Sequence, residues 1–170
     1  VARQTGLPLI AAVESARGWL ALPQIAAAPG LTALTYGCLD LAADLNLSFG
    51  TPAAADLINR LRGDLVLYSA ANGLEAPLSS VFPDFGHEEG LRADIVYWRD
   101  IGMGGMLCIH PKQVSIVHEL LHPGEEQLAF ARKVCEAAER TSLAVFQIDG
   151  KMVDAPVIAQ CRRLLARYPD

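Results

Sequence analysis

The sequence predicts an α/β chain built from βαβ units around a parallel sheet. Three observations support this. Short continuous apolar runs alternate with helix-periodic stretches through the first two-thirds of the 170 residues. Pro29-Gly30, Gly50-Thr51-Pro52 and Asn72-Gly73 punctuate that alternation with breakers. Two acidic residues, Glu14 and Asp40, each follow such a run closely and stand 26 residues apart, the length of one strand–helix unit. That spacing brings both carboxylates to adjacent strand ends.

Leu9-Ile10-Ala11-Ala12-Val13 reads as a strand buried on both faces, because it is apolar without alternation. Leu22 to Ala28 reads as a helix stopped by Pro29-Gly30, and Thr32 to Tyr36 as the next strand. A helix over Asp56–Ala71 follows, ended by Asn72-Gly73. Pro77–Phe82 and Met106–Ile109 read as two further strands, with a helix over Glu88–Ile101 between them, which makes four in all. Beyond His110 the pattern changes. Pro111 suits a first helical turn, and Lys112–Leu121 carries Val114, Val117, Leu120 and Leu121 at helical spacing. Glu125–Arg140 repeats that periodicity. Asp149-Gly150 between Val145–Ile148 and Lys151–Val153 predicts a hairpin with a type I′ turn, and a last helix runs from after Asp154 to about Tyr168.

At 52% hydrophobic and 19% charged residues the chain can bury a sizeable core. No apolar run approaches the roughly 20 residues of a membrane helix, so no membrane association is expected. Fourteen basic against 19 acidic residues give a net charge of −5, which offers no electrostatic footprint for nucleic acid. Arg162, Arg163 and Arg167 read as the solvated face of the last helix. Cys38, Cys108, Cys135 and Cys161 form no Cys-x-x-Cys pair, so reduced thiols in a cytoplasmic protein are expected rather than a zinc or disulfide framework.

Glu14 and Asp40 supply hard oxygen donors, the chemistry of Mg²⁺ held by two carboxylates with open positions for an oxygen-rich substrate. Each also has a purely structural reading. Glu14 can pair with Arg17 at the strand-to-helix corner, and Asp40 can cap a helix beginning at Leu41. Asp44 lies one turn further on the same face, as a supporting or surface carboxylate. His110, between Ile109 and Pro111, reads as a hydrogen-bonded structural residue before it reads as a base. Asp84 either lines a substrate entrance or opens a turn. Asp154 before Ala155-Pro156 carries a helix N-cap signature.

Five segments in order, Val13 to Gly18, Tyr36 to Leu41, Val81 to Phe85, Ile109 to Gln113 and Asp149 to Pro156, resemble the citrate lyase β-subunit branch of the HpcH/HpaI aldolase superfamily. The resemblance runs from about Leu7 to the C-terminus. It implies a (β/α)8 TIM barrel, which takes about 250 residues, so residues 1–122 are expected to be its C-terminal part, with the N-terminal strands outside the chain. Residues 123–170 are then a helix–hairpin–helix lid and oligomerisation segment, in the family's habit of forming homotrimers. The implied activity is Mg²⁺-dependent carbon–carbon cleavage of a citryl-, citramalyl- or malyl-type thioester, on CoA or an acyl carrier, to an acetyl unit and a 2-oxo acid. Glu14 and Asp40 would hold the metal, Arg17 would support Glu14 or touch substrate, and the backbone amides around Gly37, Cys38 and Leu39 would take a substrate carboxylate oxygen. Position 39 is usually acidic in the family and is leucine here, which bears on substrate range. By the same resemblance Asp154 is a proton-transfer carboxylate serving a neighbouring subunit, a reading that stands beside the cap. A CoA-independent class II aldolase of hydroxy-keto acids and a catalytically silent homologue are the competing functions.

Overall fold

The computed structural model describes residues 6–141 and 143–169. They form a mixed α/β chain in two compact units, the first ending at Leu121 and the second beginning at His122. The first unit runs β1 (Leu9–Val13), α1 (Ala16–Leu20), α2 (Leu22–Ala26), β2 (Leu31–Tyr36), α3 (Cys38–Asp44), α4 (Pro52–Ala71), β3 (Leu78–Ser79), α5 (Glu88–Asp100), β4 (Gly105–Met106) and α6 (Pro111–Leu121). The second holds α7 (Glu125–Arg140), β5 (Phe146–Ile148), β6 (Lys151–Val153) and α8 (Ala155–Arg167).

β1 and β2 pair in parallel, with Val13 opposite Tyr36 and a register irregularity at Leu9/Ile10. Their parallel pairing requires the crossover that α1 and α2 provide. β1 is not buried on both faces as its composition predicts. Leu9, Ala11 and Val13 turn towards the helices, whereas Ala12 is exposed and Ile10 keeps 55% of its surface accessible. Strand alternation sends Ile10, Ala12 and Glu14 to the face that these helices do not cover. β2 fares differently: Ala33 to Tyr36 are all buried.

The third and fourth strands are shorter than their apolar runs predict. Only Leu78–Ser79 and Gly105–Met106 pair as a ladder, extended at each end by Gly104 N donating to Pro77 O and Leu107 N to Ser79 O. Glu75 N also donates to Thr32 O, so the approach to β3 lies alongside β2. The core behind these strands is formed by Leu34 and Tyr36 of β2, Leu61 and Leu65 of α4, and Ile95 and Trp98 of α5. Burying each of the aliphatic side chains among them is worth about 1.5–3 kcal/mol.

Helix starts follow the chain chemistry. Thr51 caps α4 by accepting from Ala54 N, with Pro52 in the first turn, so that helix begins four residues earlier than its periodicity suggests. Ser15 caps α1 by accepting from Gly18 N. In the second unit, Ala131, Val134, Val153 and Cys161 form a separate small core. Asp149 and Gly150 sit at φ 49° and 76°, the two left-handed positions a type I′ hairpin requires. Among the described residues no helix is long and apolar enough to cross a membrane.

Candidate functional site

Glu14 is the first residue past β1, and Gly37 the first past β2. Gly37 N donates to Val13 O at 3.0 Å, which continues the β1–β2 register by one step and sets Gly37 beside Glu14. A Cβ on Gly37 would lie 2.8 Å from both Cγ and Oε1 of Glu14. The glycine is therefore required by the approach of the glutamate side chain, not by its backbone angles (φ −97°). Asp40 stands in the first turn of α3, where a carboxylate favours the helix N-terminus. It is not the N-cap of a helix starting at Leu41. The helix begins at Cys38 with Gly37 as its cap, so no cap duty competes with other uses of Asp40.

Both carboxylates are exposed to solvent, and Arg17 is exposed as well. No ion pair joins Glu14 to Arg17. Among the described residues no group of three or more His, Cys, Asp or Glu could hold a metal. Two hard carboxylates without a third protein ligand suit Mg²⁺, which retains waters and takes substrate oxygens, and do not suit a closed zinc site.

The three backbone amides expected to receive a substrate oxygen are not equivalent. That of Gly37 is committed to Val13 O and that of Cys38 to Ser80 Oγ at 3.0 Å, which leaves the Leu39 amide. The Cys38 side chain points into the fold, its thiol donating to Val81 O at 3.5 Å. Burial pushes that thiol up, against smaller opposing pulls from the Ser80 hydroxyl and Arg62, so it stays a neutral thiol at pH 7. Cys38 thus offers neither a free amide nor a thiolate. Leu39 projects outward, 52% exposed.

Asp44 is no idle surface carboxylate: its Oδ2 accepts from Ala16 N at 2.7 Å and ties the end of α3 to the start of α1. Sequence reasoning also missed Arg62. Buried in α4, it donates from Nε to the Tyr36 hydroxyl (2.7 Å) and pairs through both terminal nitrogens with Asp94, at 2.8 Å and 3.0 Å. Burial works against its charge, but Tyr36 and Asp94 more than offset that and raise its pKa. The signal was present. Ile58, Leu61, Leu65 and Ser69 share a buried face of α4, and Arg62 is the one charged residue on it.

Asp84 Oδ1 accepts from Gly86 N, the geometry of a turn. His110 accepts from Lys112 N through Nδ1 and stacks on Phe85 at 4.9 Å between ring centroids. Gln113, fully buried, accepts from the amides of Ile109 and His110 and donates to Phe82 O, which binds the loop after β3 to the loop after β4. Asp154 lies in the second unit, where its Oδ1 caps α8 by accepting from Val157 N at 3.2 Å.

A model of the HpcH/HpaI aldolase/citrate lyase family matches residues 2–111. A citrate lyase subunit beta-like protein of Mycobacterium tuberculosis is 35% identical over 162 residues, 94% of this chain and 59% of that protein. A (3S)-malyl-CoA thioesterase of Cereibacter sphaeroides is 35% identical over 164 residues, 95% of this chain and 56% of the relative. The crystal structure of the protein CitE from M. tuberculosis in complex with magnesium, acetoacetate and coenzyme A superposes with a TM-score of 0.83 at 32% identity, over 100% of this chain and 64% of that one. The chain thus spans less than two-thirds of the length of the relatives it matches. With the family model covering more than half of its residues, the chain belongs to the HpcH/HpaI aldolase/citrate lyase family.

Proposed function

We propose that the protein is a Mg²⁺-dependent carbon–carbon lyase that cleaves a citryl-, citramalyl- or malyl-type CoA thioester to an acetyl-CoA unit and a 2-oxo acid. The observation that carries this reading is the packing of Glu14 against Gly37 at the ends of two paired parallel strands, with Asp40 in the helical turn that follows. Adjacent strand ends are where an α/β sheet delivers reactive side chains. Strands β1 to β4 belong, in this reading, to a (β/α)8 barrel, which accounts for the exposed face of β1 that carries Ile10 and Ala12.

Glu14 and Asp40 would hold the metal, which would supply Lewis-acid chemistry that lowers the pKa of the substrate hydroxyl. The residues around it do the rest. Gly37 keeps the Glu14 carboxylate close to the backbone, and the Leu39 amide would donate to a substrate carboxylate oxygen. Leu39 itself sets an apolar boundary where an acidic side chain would repel an anionic substrate group. In the second unit, Asp154 takes or returns the proton of the acetyl carbon from a neighbouring subunit's lid, in a trimer.

Calorimetric titration of the full-length protein with Mg²⁺ and pyruvate or oxaloacetate tests the metal reading. Glu14→Gln and Asp40→Asn should each abolish linked binding, and unchanged binding in both would refute it. The (3S)-malyl-CoA thioesterase among the relatives supports a second reading, thioester hydrolysis. Product analysis separates the two. Cleavage of malyl-CoA gives acetyl-CoA and glyoxylate, whereas hydrolysis consumes water and gives malate and free CoA.

A further inference from the structure

We propose that Asp44 and Ser80 are positioning residues that hold Glu14 and Asp40 at a fixed separation, an inference that rests on the metal site proposed above. α3 has seven residues and α1 five, lengths at which a helix does not hold itself in place. α3 is fastened at both ends instead. At its start, Ser80 Oγ, of a residue only 3% exposed, accepts from Cys38 N at 3.0 Å. At its last residue, Asp44 Oδ2 accepts from Ala16 N at 2.7 Å, across 28 residues of sequence.

The Asp44 fastening closes a circuit around the site, and Ser80 pins the start of α3 within it. Ala16 is two residues beyond Glu14, and Asp44 is one helical turn beyond Asp40 on the same face. From Glu14 the path runs through Ala16 to Asp44, back along α3 to Asp40 and Gly37, and across to Val13 by the Gly37 amide. Ser15 serves a different amide of the same turn, Gly18 N, so the Asp44 bond is the one that reaches α1 from α3. Mg²⁺ tolerates little departure from octahedral geometry, so freedom in the placement of α3 against β1 appears directly as lost affinity.

The test is Mg²⁺ titration in the presence of pyruvate, run on the full-length protein with metal-free thermal melts alongside. Asp44→Ala and Ser80→Ala should each weaken Mg²⁺ about 10- to 100-fold. Asp44→Asn and Ser80→Thr, which keep an oxygen acceptor, should stay within about threefold of wild type. Wild-type affinity in both alanine variants, with binding abolished in Glu14→Gln, would overturn the positioning role and leave the metal site standing. A loss in Asp44→Asn as deep as in Asp44→Ala would make Asp44 a charge-bearing ligand and overturn it too. Wild-type affinity in Glu14→Gln would remove the metal reading and this proposal together. A variant-free measurement guards against misfolding. Binding and fastening are reciprocal, so saturating Mg²⁺ should slow hydrogen exchange at the amides of Ala16 and Cys38, and unchanged exchange at both would overturn the proposal.

Discussion

Replacing Asp94 by alanine should destabilise the protein more than removing the arginine it serves. The Asp94 carboxylate holds both terminal nitrogens of Arg62, whose side chain is 9% exposed against 23% for Asp94. Stripping one partner from a buried ion pair costs about 3–5 kcal/mol, because the remaining charge is stranded away from water. Here the guanidinium keeps three other acceptors, the Tyr36 hydroxyl, Asn59 Oδ1 and Ser79 Oγ. Together with the partial exposure of Asp94 they bring the expected loss to about 2–3 kcal/mol, or about 6–9 °C in Tm for a chain of this size. Arg62→Met removes the charge along with its partners while conserving much of the volume, and should cost about 1–2 kcal/mol. The double variant should lie closer to Arg62→Met than to the sum of the two. Urea melts of the full-length variants measure all three. Asp94→Ala within about 0.5 kcal/mol of wild type, or simple additivity in the double variant, would show that the pair is solvated and the reasoning wrong.

Gly37→Ala should leave stability within about 1 kcal/mol, since φ suits alanine, but should push the Glu14 carboxylate aside and weaken Mg²⁺ at least about tenfold by the same calorimetry. Unchanged affinity would mean that Glu14 acts from another rotamer. Asp154→Asn retains a capping side chain and should keep its Tm while losing about 10²–10⁴ in turnover. Hybrid oligomers with Glu14→Gln should recover part of it, and wild-type turnover in Asp154→Asn would leave the cap as its whole role. The Arg92 hydrogen bonds hold the Glu119 carboxyl below its usual range, so its contribution to stability is present at neutral pH and lost as pH falls through that lowered value. Side-chain NMR should show Arg92→Ala returning Glu119 to the ordinary carboxylate range, and no shift would mean that the pair does not persist in solution.

Elements governed by local chemistry were legible in the sequence. The bounds of α7 and the Asp149-Gly150 turn follow from periodicity and from left-handed backbone preference, both of which act within a few residues. β3 and β4 were read too long because strand length is set by the partner available, and apolar composition does not report it. α1 escaped notice behind Gly18, a poor helix former held in place by the Ser15 cap. At the site, the carboxylates stood out by their position after apolar runs. The commitments of the Gly37 and Cys38 amides did not, and neither did the Arg62–Asp94 pair across 32 residues, because each depends on which strands and helices become neighbours.

Gln113 shows how a side chain can replace a ladder where the strands stop early. One carboxamide supplies an acceptor for two consecutive amides and a donor for a carbonyl on the neighbouring loop, the same complement of partners a strand backbone would offer. The protection of Ile109 and His110 against solvent deuterium should therefore resemble that of a paired strand, although both lie outside any regular element. The glutamine carboxamide carries a neutral acceptor and a donor side by side at any pH. An ionised glutamate of nearly identical shape at position 113 would set a second oxygen against the Phe82 carbonyl, so the tie between the two loops would be lost through repulsion, without any change in side-chain size.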